Sequence, residues 1–201
     1  TLATWKAPAG VALNSDFTVK VRLQDGVWHT LSSYLIKVDE VRDTRHYVEN
    51  ASMAIFDFTG KVEVAVTYNL GEVQTAKVRP LSYDIPFQID GNTVTFTLEH
   101  PRNLSVEVNG DIFHNFHLFT GSPERTIPDK DNPEVIYFGP GIHTVKNGEL
   151  RVPSGKTVYL AGGAVLMGHG LIENVHDEKL LGRGIIDHSI KGGIRIANSR
   201  D

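Results

Sequence analysis

The stretch that decides the fold repeats one plan three times: VIYFGPGIHTV at 135–145, TVYLAGGAVLM at 157–167 and KLLGRGIID at 179–187. Each segment has a short apolar strand, a bend that contains glycine and a second short apolar strand. Ile136, Val158 and Leu180 occupy equivalent places and follow one another at intervals of 22 residues. A fixed period of roughly 20 to 30 residues built from strands is typical of a parallel β-solenoid.

The rest of this region fits the same interpretation. Residues 150–156 add a strand and a turn, 173–179 form a polar loop, and 194–196 begin another strand. The strands are short and β-branched, as parallel strands buried inside a coil are. Since a solenoid turn buries its faces only against neighbouring turns, two to three turns predict the start of a longer, incomplete parallel β-helix over 135–201. The alternative is a complete small β-roll.

Residues 1–122 show a different pattern, a succession of short strands with one buried face. Phe17, Val19, Val21 and Leu23 alternate with polar residues, and a turn is expected at Gln24-Asp25-Gly26. The strands 53–58 and 62–68 flank Thr59-Gly60-Lys61 and predict a hairpin. No window has a helical period. This part is therefore predicted to be an antiparallel β-sandwich of immunoglobulin-like topology, and the proline- and charge-rich residues 123–134 to be a linker.

Bulk properties narrow the function classes. The 201 residues carry a net charge of −4 at a pI of about 6.1, so no basic field favours nucleic acid or an anionic membrane. No apolar run reaches the length of a membrane span. The absence of cysteine excludes disulfides and thiolate metal sites, but it does not fix the compartment. We expect neither a nucleic-acid partner nor a membrane partner.

Several motifs carry a family resemblance. Residues 135–143 and 152–166 resemble the first coils of pectin-lyase-like right-handed parallel β-helices, and residues 182–187 are similar to the Gly-x-Gly-x-Ile-Asp segment of polygalacturonase-type glycoside hydrolases. A sandwich placed before such a helix is similar to dextranase and isopullulanase of glycoside hydrolase family 49. Residues 104–119 resemble the end of that family's N-terminal module.

The resemblance implies a secreted glycoside hydrolase without a cofactor. Its substrate would be an α-linked polysaccharide, either a dextran- or pullulan-like glucan or polygalacturonate, and hydrolysis would invert the configuration of the anomeric carbon. Inversion needs carboxyl groups roughly 6.5–9.5 Å apart, and coils about 4.8 Å apart place carboxylates near that separation. The family's catalytic aspartates lie on coils after the Gly-x-Gly-x-Ile-Asp segment. None of them matches a position in this chain, so the catalytic residues are expected beyond Asp201, and this fragment alone is expected to be inactive.

Two other functions stay open: a non-catalytic carbohydrate-binding or adhesive β-helix, because no acid/base pair is recognisable, and a polysaccharide lyase. A lyase would use Ca²⁺ and a basic residue, and no aspartate cluster suits Ca²⁺ here. The sequence does not determine the sugar, the linkage, endo or exo action, or the oligomeric state.

The candidate site residues each have two interpretations. Asp187 is a carboxylate near the cleft or a turn-capping aspartate, which we favour, and Asp201 is terminal and gives no indication. His114 and His117 are poorly spaced for a metal, so packing or a hydrogen bond at a domain interface is expected. His169, His176 and His188 could bind sugar hydroxyls, although solvated loop histidines are the default. Trp5, Trp28, Tyr34 and Tyr47 could form a sugar-stacking platform or a core. The bends at Gly162-Gly163 and Gly182-x-Gly184 are expected to need positive φ or close backbone packing rather than to bind phosphate.

Overall fold

The computed structural model describes residues 1–24, 26–190 and 192–200. Asp25 of the expected turn and Asp201 lie outside them. The described residues form β-strands and one short 3₁₀ helix at Leu81–Tyr83, which confirms the all-β prediction. No helix in this part of the chain has the length and apolar character that crossing a membrane requires. Two compact units are present, Thr1–Trp5 with Ala12–Pro123, and Lys6–Val11 with the chain from Glu124 onward.

The first unit contains two sheets. One has the strand order β1-β5-β11-β10-β7, with β4 also paired to β5, and the other has the order β3-β2-β6-β9-β8. In chain order the strands are β1 (Leu2–Thr4), β2 (Phe17–Leu23), β3 (His29–Thr30), β4 (Tyr34–Arg42), β5 (Arg45–Phe58), β6 (Val62–Tyr68), β7 (Ala76–Arg79), β8 (Phe87–Asp90), β9 (Thr93–Leu98), β10 (Leu104–Val108) and β11 (Asp111–Gly121).

Both sheets bury their alternating apolar residues in one common core. One sheet contributes Val19 and Val21 of β2. The other contributes Phe56 and Phe58 of β5 and Phe116 of β11. All five side chains are almost fully buried. Each large apolar side chain buried in this way contributes about 1.5–3 kcal/mol relative to exposure. The alternation of apolar and polar residues in the sequence therefore indicates which face of each strand packs in this core.

Two expectations about strand pairing are wrong. The strands around Thr59-Gly60-Lys61 do not form a hairpin, because β5 and β6 belong to different sheets and the turn at Gly60 (φ +83°) carries the chain between them. The pairing is also not wholly antiparallel, since β11 runs parallel to β5 with Phe116 beside Ser52. Alternation shows which side chains are buried, but it does not show which strand lies alongside.

The second unit winds through three successive turns. Its strands are β12 (Val135–Phe138), β13 (Gly141–Arg151), β14 (Thr157–Leu160), β15 (Ala164–Glu173), β16 (Lys179–Gly182), β17 (Ile185–Asp187) and β18 (Ile194–Ala197). Strands β12, β14 and β16 form one parallel sheet, and β13, β15, β17 and β18 form another. β15 pairs first with β17 and then, further along, with β18, so each part of a turn lies beside the same part of the next.

The register of these strands follows the sequence period. Ile136 pairs with Val158 and Val158 with Leu180, so the positions 22 residues apart lie side by side. Inside the turns a second core forms around Leu150, Val152, Val158, Leu160, Ala164, Leu166 and Ile172. The length of the period is therefore the length of one turn.

Residues 124–134, within the stretch expected to be a linker, group with the second unit and are tied to it. The N–H of Thr157 donates to the carbonyl of Glu134 at 2.9 Å, and Lys156 Nζ donates to the carbonyl of Pro133 at 2.9 Å. Lys6–Val11 also belongs to this unit, which no sequence pattern indicated.

Candidate functional site

The glycine bends of the second unit are sites of close backbone packing. The N–H groups of Arg183 and Gly184 both donate to the carbonyl of Leu160, at 2.9 and 3.0 Å. Gly182 has φ +119°, and a Cβ there would overlap that same carbonyl oxygen. A Cβ on Gly184 would lie 2.6 Å from Cβ of Leu160. The Gly-x-Gly motif thus lets one turn sit directly on the next, as the sequence indicated.

Asp187 ends β17 beside Met167 and caps its own turn. Its Oδ1 accepts the N–H of Ser189 at 2.8 Å. This is the capping contact expected of an aspartate at a strand end. The bond accounts for the residue type at this position without any catalytic role.

The three solenoid histidines do not converge on one site. His169 Nδ1 contacts the carbonyl of Gly192 in the next turn, His176 contacts Asp177 Oδ2 at 2.9 Å, and His188 is exposed after β17. The backbone N–H of His176 also donates to Ser154 Oγ at 3.1 Å. His169 and the backbone of His176 therefore link neighbouring turns, whereas the imidazole of His176 contacts the residue next to it.

Tyr159 forms a buried polar contact that sequence reasoning missed. Its hydroxyl donates to Glu124 Oε2 at 2.8 Å, and its ring packs against Tyr137 with centroids 5.2 Å apart. Burial, followed by the hydrogen bond and the charge of Glu124, raises the pKa of Tyr159. The hydroxyl therefore stays protonated and serves as a donor that holds the start of residues 124–134.

Five charged side chains on the first unit are connected by short hydrogen bonds. We call them the His114 cluster: Glu40, Arg42, Glu49, Asp111 and His114. His114 Nδ1 lies 2.8 Å from Asp111 Oδ2, and its Nε2 lies 2.7 Å from Glu49 Oε2. Arg42 contacts both carboxylate oxygens of Glu40, at 2.6 and 2.7 Å.

Electrostatics in the His114 cluster favour the charged forms. The hydrogen bond with Asp111 raises the pKa of His114; burial opposes this and Glu49 adds to it. Burial alone would raise the pKa of Asp111, but hydrogen bonds from the N–H groups of His114 and Phe113 and from the imidazole outweigh it, so that pKa is lowered. The hydrogen bond from Arg42 lowers the pKa of Glu40.

This arrangement leaves His114 no free ring nitrogen, because both face carboxylates. An imidazolium with two carboxylate partners is a structural cation rather than a base or a metal ligand. His117 lies on the same strand, and burial lowers its pKa. In the described ranges, no group of three or more His, Asp or Glu side chains could hold a metal ion. Asp111 stands three residues before His114 and was visible in the sequence, whereas Glu49, 65 residues away, was not.

The four aromatic residues considered as a platform differ in exposure, and Trp5 is half-buried. Tyr34 is only 7% exposed, and burial raises its pKa. Trp28 and Tyr47 are exposed, but each has an arginine over its ring, Arg22 at 4.5 Å and Arg42 at 5.0 Å from the centroid. The platform interpretation is wrong for Tyr34, because its strand turns that side chain inward.

The comparisons with known proteins bear on the fold. No protein-family model matches the chain, and no curated protein sequence matches it. Among solved structures, Dex49A from Penicillium minioluteum is similar over 92% of this chain, with a TM-score of 0.66 and 16% sequence identity. The chain spans 50% of the length of that protein. At this identity the likeness is one of fold, and the chain shares its all-β fold with part of Dex49A.

Proposed function

We propose that this chain is the N-terminal part of a glycoside hydrolase that acts on a polysaccharide. Its first unit would be an immunoglobulin-like sandwich, and its second the first coils of a right-handed parallel β-helix. The observation that carries the proposal is the in-register stacking of three turns through the Gly182-x-Gly184 bend. The sequence resemblance to family 49 and the fold likeness to Dex49A point the same way.

The catalytic residues would lie on further coils. The third turn presents exposed apolar side chains: Ile194 is 48% exposed and Ile196 is 68% exposed. A following coil would bury them and would place side chains about 4.8 Å beyond the present last turn. Two aspartates on such coils, roughly 6.5–9.5 Å apart, would act as general acid and as general base on a water molecule, and the reaction would invert the anomeric centre.

The protein would be secreted, and its substrate would be an α-linked polysaccharide. The test is hydrolysis of dextran, pullulan and polygalacturonate by this chain extended with its downstream sequence, with the 201-residue chain assayed beside it. We expect the extended form to release sugar of inverted configuration, seen by NMR of the first products, and the shorter chain to release none. Absence of hydrolysis on every polysaccharide would refute the proposal.

A non-catalytic carbohydrate-binding β-helix is the second candidate. The observation in its favour is that Asp187, the carboxylate that ends the family motif, accepts the N–H of Ser189 in its own turn. Binding of a glycan without turnover by the extended form would support this second function.

A further inference from the structure

A cleft of about 650 Å³ lies on the first unit. Strands β6, β8 and β9 line it together with the segment from Tyr83 to Phe87 and the residues around Arg102. Pockets that hold small ligands have volumes of roughly 300–1,000 Å³. The cleft is thus large enough for a few sugar units.

Its floor is polar because of the strand register. Thr95 pairs with Gln88 and Thr97 with Glu63, whereas Phe96 between the two threonines is buried in the core. Alternation therefore turns these four polar side chains to the other face of the sheet. Hydroxyl and amide groups both donate and accept hydrogen bonds, and a carboxylate accepts them. This mixture suits a ligand that carries many hydroxyl groups.

The ring of Tyr83 borders the cleft. Tyr83 is 36% exposed, which is unusual for a ring that packs in a core. The guanidinium of Arg102 lies over the Tyr83 ring, 4.4 Å from its centroid, and holds its orientation. A positioned ring beside hydrogen-bonding groups can pack against the apolar face of a pyranose while its hydroxyls are bound at the edge.

The charges of the cleft largely cancel one another. Lys61 faces Glu99 at 3.6 Å, and Glu63 is paired with Arg22 of β2 at 2.5 Å. Arg102 contacts His100 Nε2 at 2.6 Å in addition to the Tyr83 ring. No concentration of positive charge results, so a phosphate or a polyuronate would gain little electrostatic attraction here.

We propose that this cleft binds a neutral oligosaccharide rather than a polyuronate. The inference rests on the proposed function and narrows its substrate class. Tyr83 would supply the stacking surface, and Gln88, Thr95 and Thr97 would bind hydroxyl groups. The first unit would then bind the polymer without taking part in bond cleavage.

The test is isothermal titration of the 201-residue chain with isomaltohexaose, maltohexaose and a hexamer of galacturonic acid. At least one glucan hexamer should bind, and the uronate should bind more weakly. Tyr83→Ala should weaken glucan binding about tenfold, and Gln88→Ala should also weaken it. Tyr47→Ala is the matched control, because Tyr47 is 37% exposed with an arginine over its ring and lies outside the cleft, so its variant should bind as the unchanged chain does.

The proposal is overturned if neither glucan binds at millimolar concentration, if the uronate binds as tightly, or if the Tyr83 and Gln88 variants bind like the Tyr47 variant. These binding outcomes can be distinguished from the outcomes of the hydrolysis assay. Hydrolysis by the extended form without binding at the cleft would overturn this inference alone. Binding at the cleft without hydrolysis would overturn the proposed activity alone.

Discussion

At the scale of single residues, Gly182 and Gly184 show how little room the stacked turns leave. Both face the backbone of the preceding turn around Leu160, and Gly182 also has a φ value that L-residues avoid. Their neighbour Asp187 completes the motif by capping the following turn. The close packing of successive turns therefore explains the two glycines of the Gly-x-Gly-x-Ile-Asp segment.

We expect Gly182→Ala to destabilise the chain by about 2–4 kcal/mol, because it adds backbone strain to a collision with the Leu160 carbonyl. The free energy of unfolding from urea denaturation measures the effect. Gly193→Ala is the control, since a Cβ at Gly193 meets nothing within 4 Å. It should change stability by less than about 0.5 kcal/mol; equal losses in both variants would contradict this account.

We expect the pairing of His114 with Asp111 and Glu49 to make stability depend on pH. The pKa of His114 is raised in the folded state, so its contribution is present below about pH 6.5, the unfolded value, and is lost as the pH rises through the folded value. The pKa of Asp111 is lowered, so its contribution is present above about pH 3.9 and is lost as the pH falls through the folded value. Together the pair stabilises most between these limits.

NMR titration of the imidazole signals tests this pairing. Asp111→Asn should lower the pKa of His114, and by more than Glu49→Gln does, because the bond to Asp111 is the largest cause of the shift. His117 on the same strand is the control: burial sets its pKa, so neither substitution should move it. An unchanged pKa of His114 in both variants would show that the two carboxylates do not stabilise the protonated imidazole.

At the scale of elements, the turns of the second unit are held by ladders and by the segment that precedes them. The ladder Ile136-Val158-Leu180 places one apolar side chain per turn in register, and the contact of Glu124 with Tyr159 attaches residues 124–134 to the middle turn. A stretch rich in proline and charge can thus be fixed by a few specific hydrogen bonds.

We expect Tyr159→Phe to cost about 1–2 kcal/mol, because the variant leaves the partly buried Glu124 carboxylate without its donor. Thermal or urea unfolding measures the loss, and limited proteolysis within 124–134 should become faster. Tyr137→Phe is the control, since it keeps the packing of the two rings and does not touch that bond. Cleavage at unchanged rates in Tyr159→Phe would argue that other contacts hold the segment.

At the scale of the whole molecule, the two units have separate cores built on different principles. The first buries alternating residues from two sheets in a common core. The second buries short apolar strands between successive turns, and its last turn keeps Leu181, Ile194 and Ile196 exposed. Further coils of the kind proposed above would stack on these exposed side chains.

If further coils follow this chain as proposed, we expect them to protect strand β18. Amide hydrogen exchange at β18 should slow at least tenfold in the extended form, because a following coil would pair with that strand and bury Ile194 and Ile196. Amides of β14, which already lie between β12 and β16, are the internal control and should exchange at unchanged rates. Equal exchange at β18 in both forms would mean that no coil stacks on it.

The sequence by itself determined the all-β class, the turn length of the second unit and the packing role of its glycines. These follow from local rules, because a 22-residue period and a Gly-x-Gly bend leave little choice of geometry. Only the tertiary structure decided that β5 and β6 lie in different sheets, that Glu49 meets His114, and that Tyr83, Gln88 and Thr97 share a cleft. Such contacts join residues far apart in the chain, and burial patterns within a strand do not indicate which strand will lie beside it.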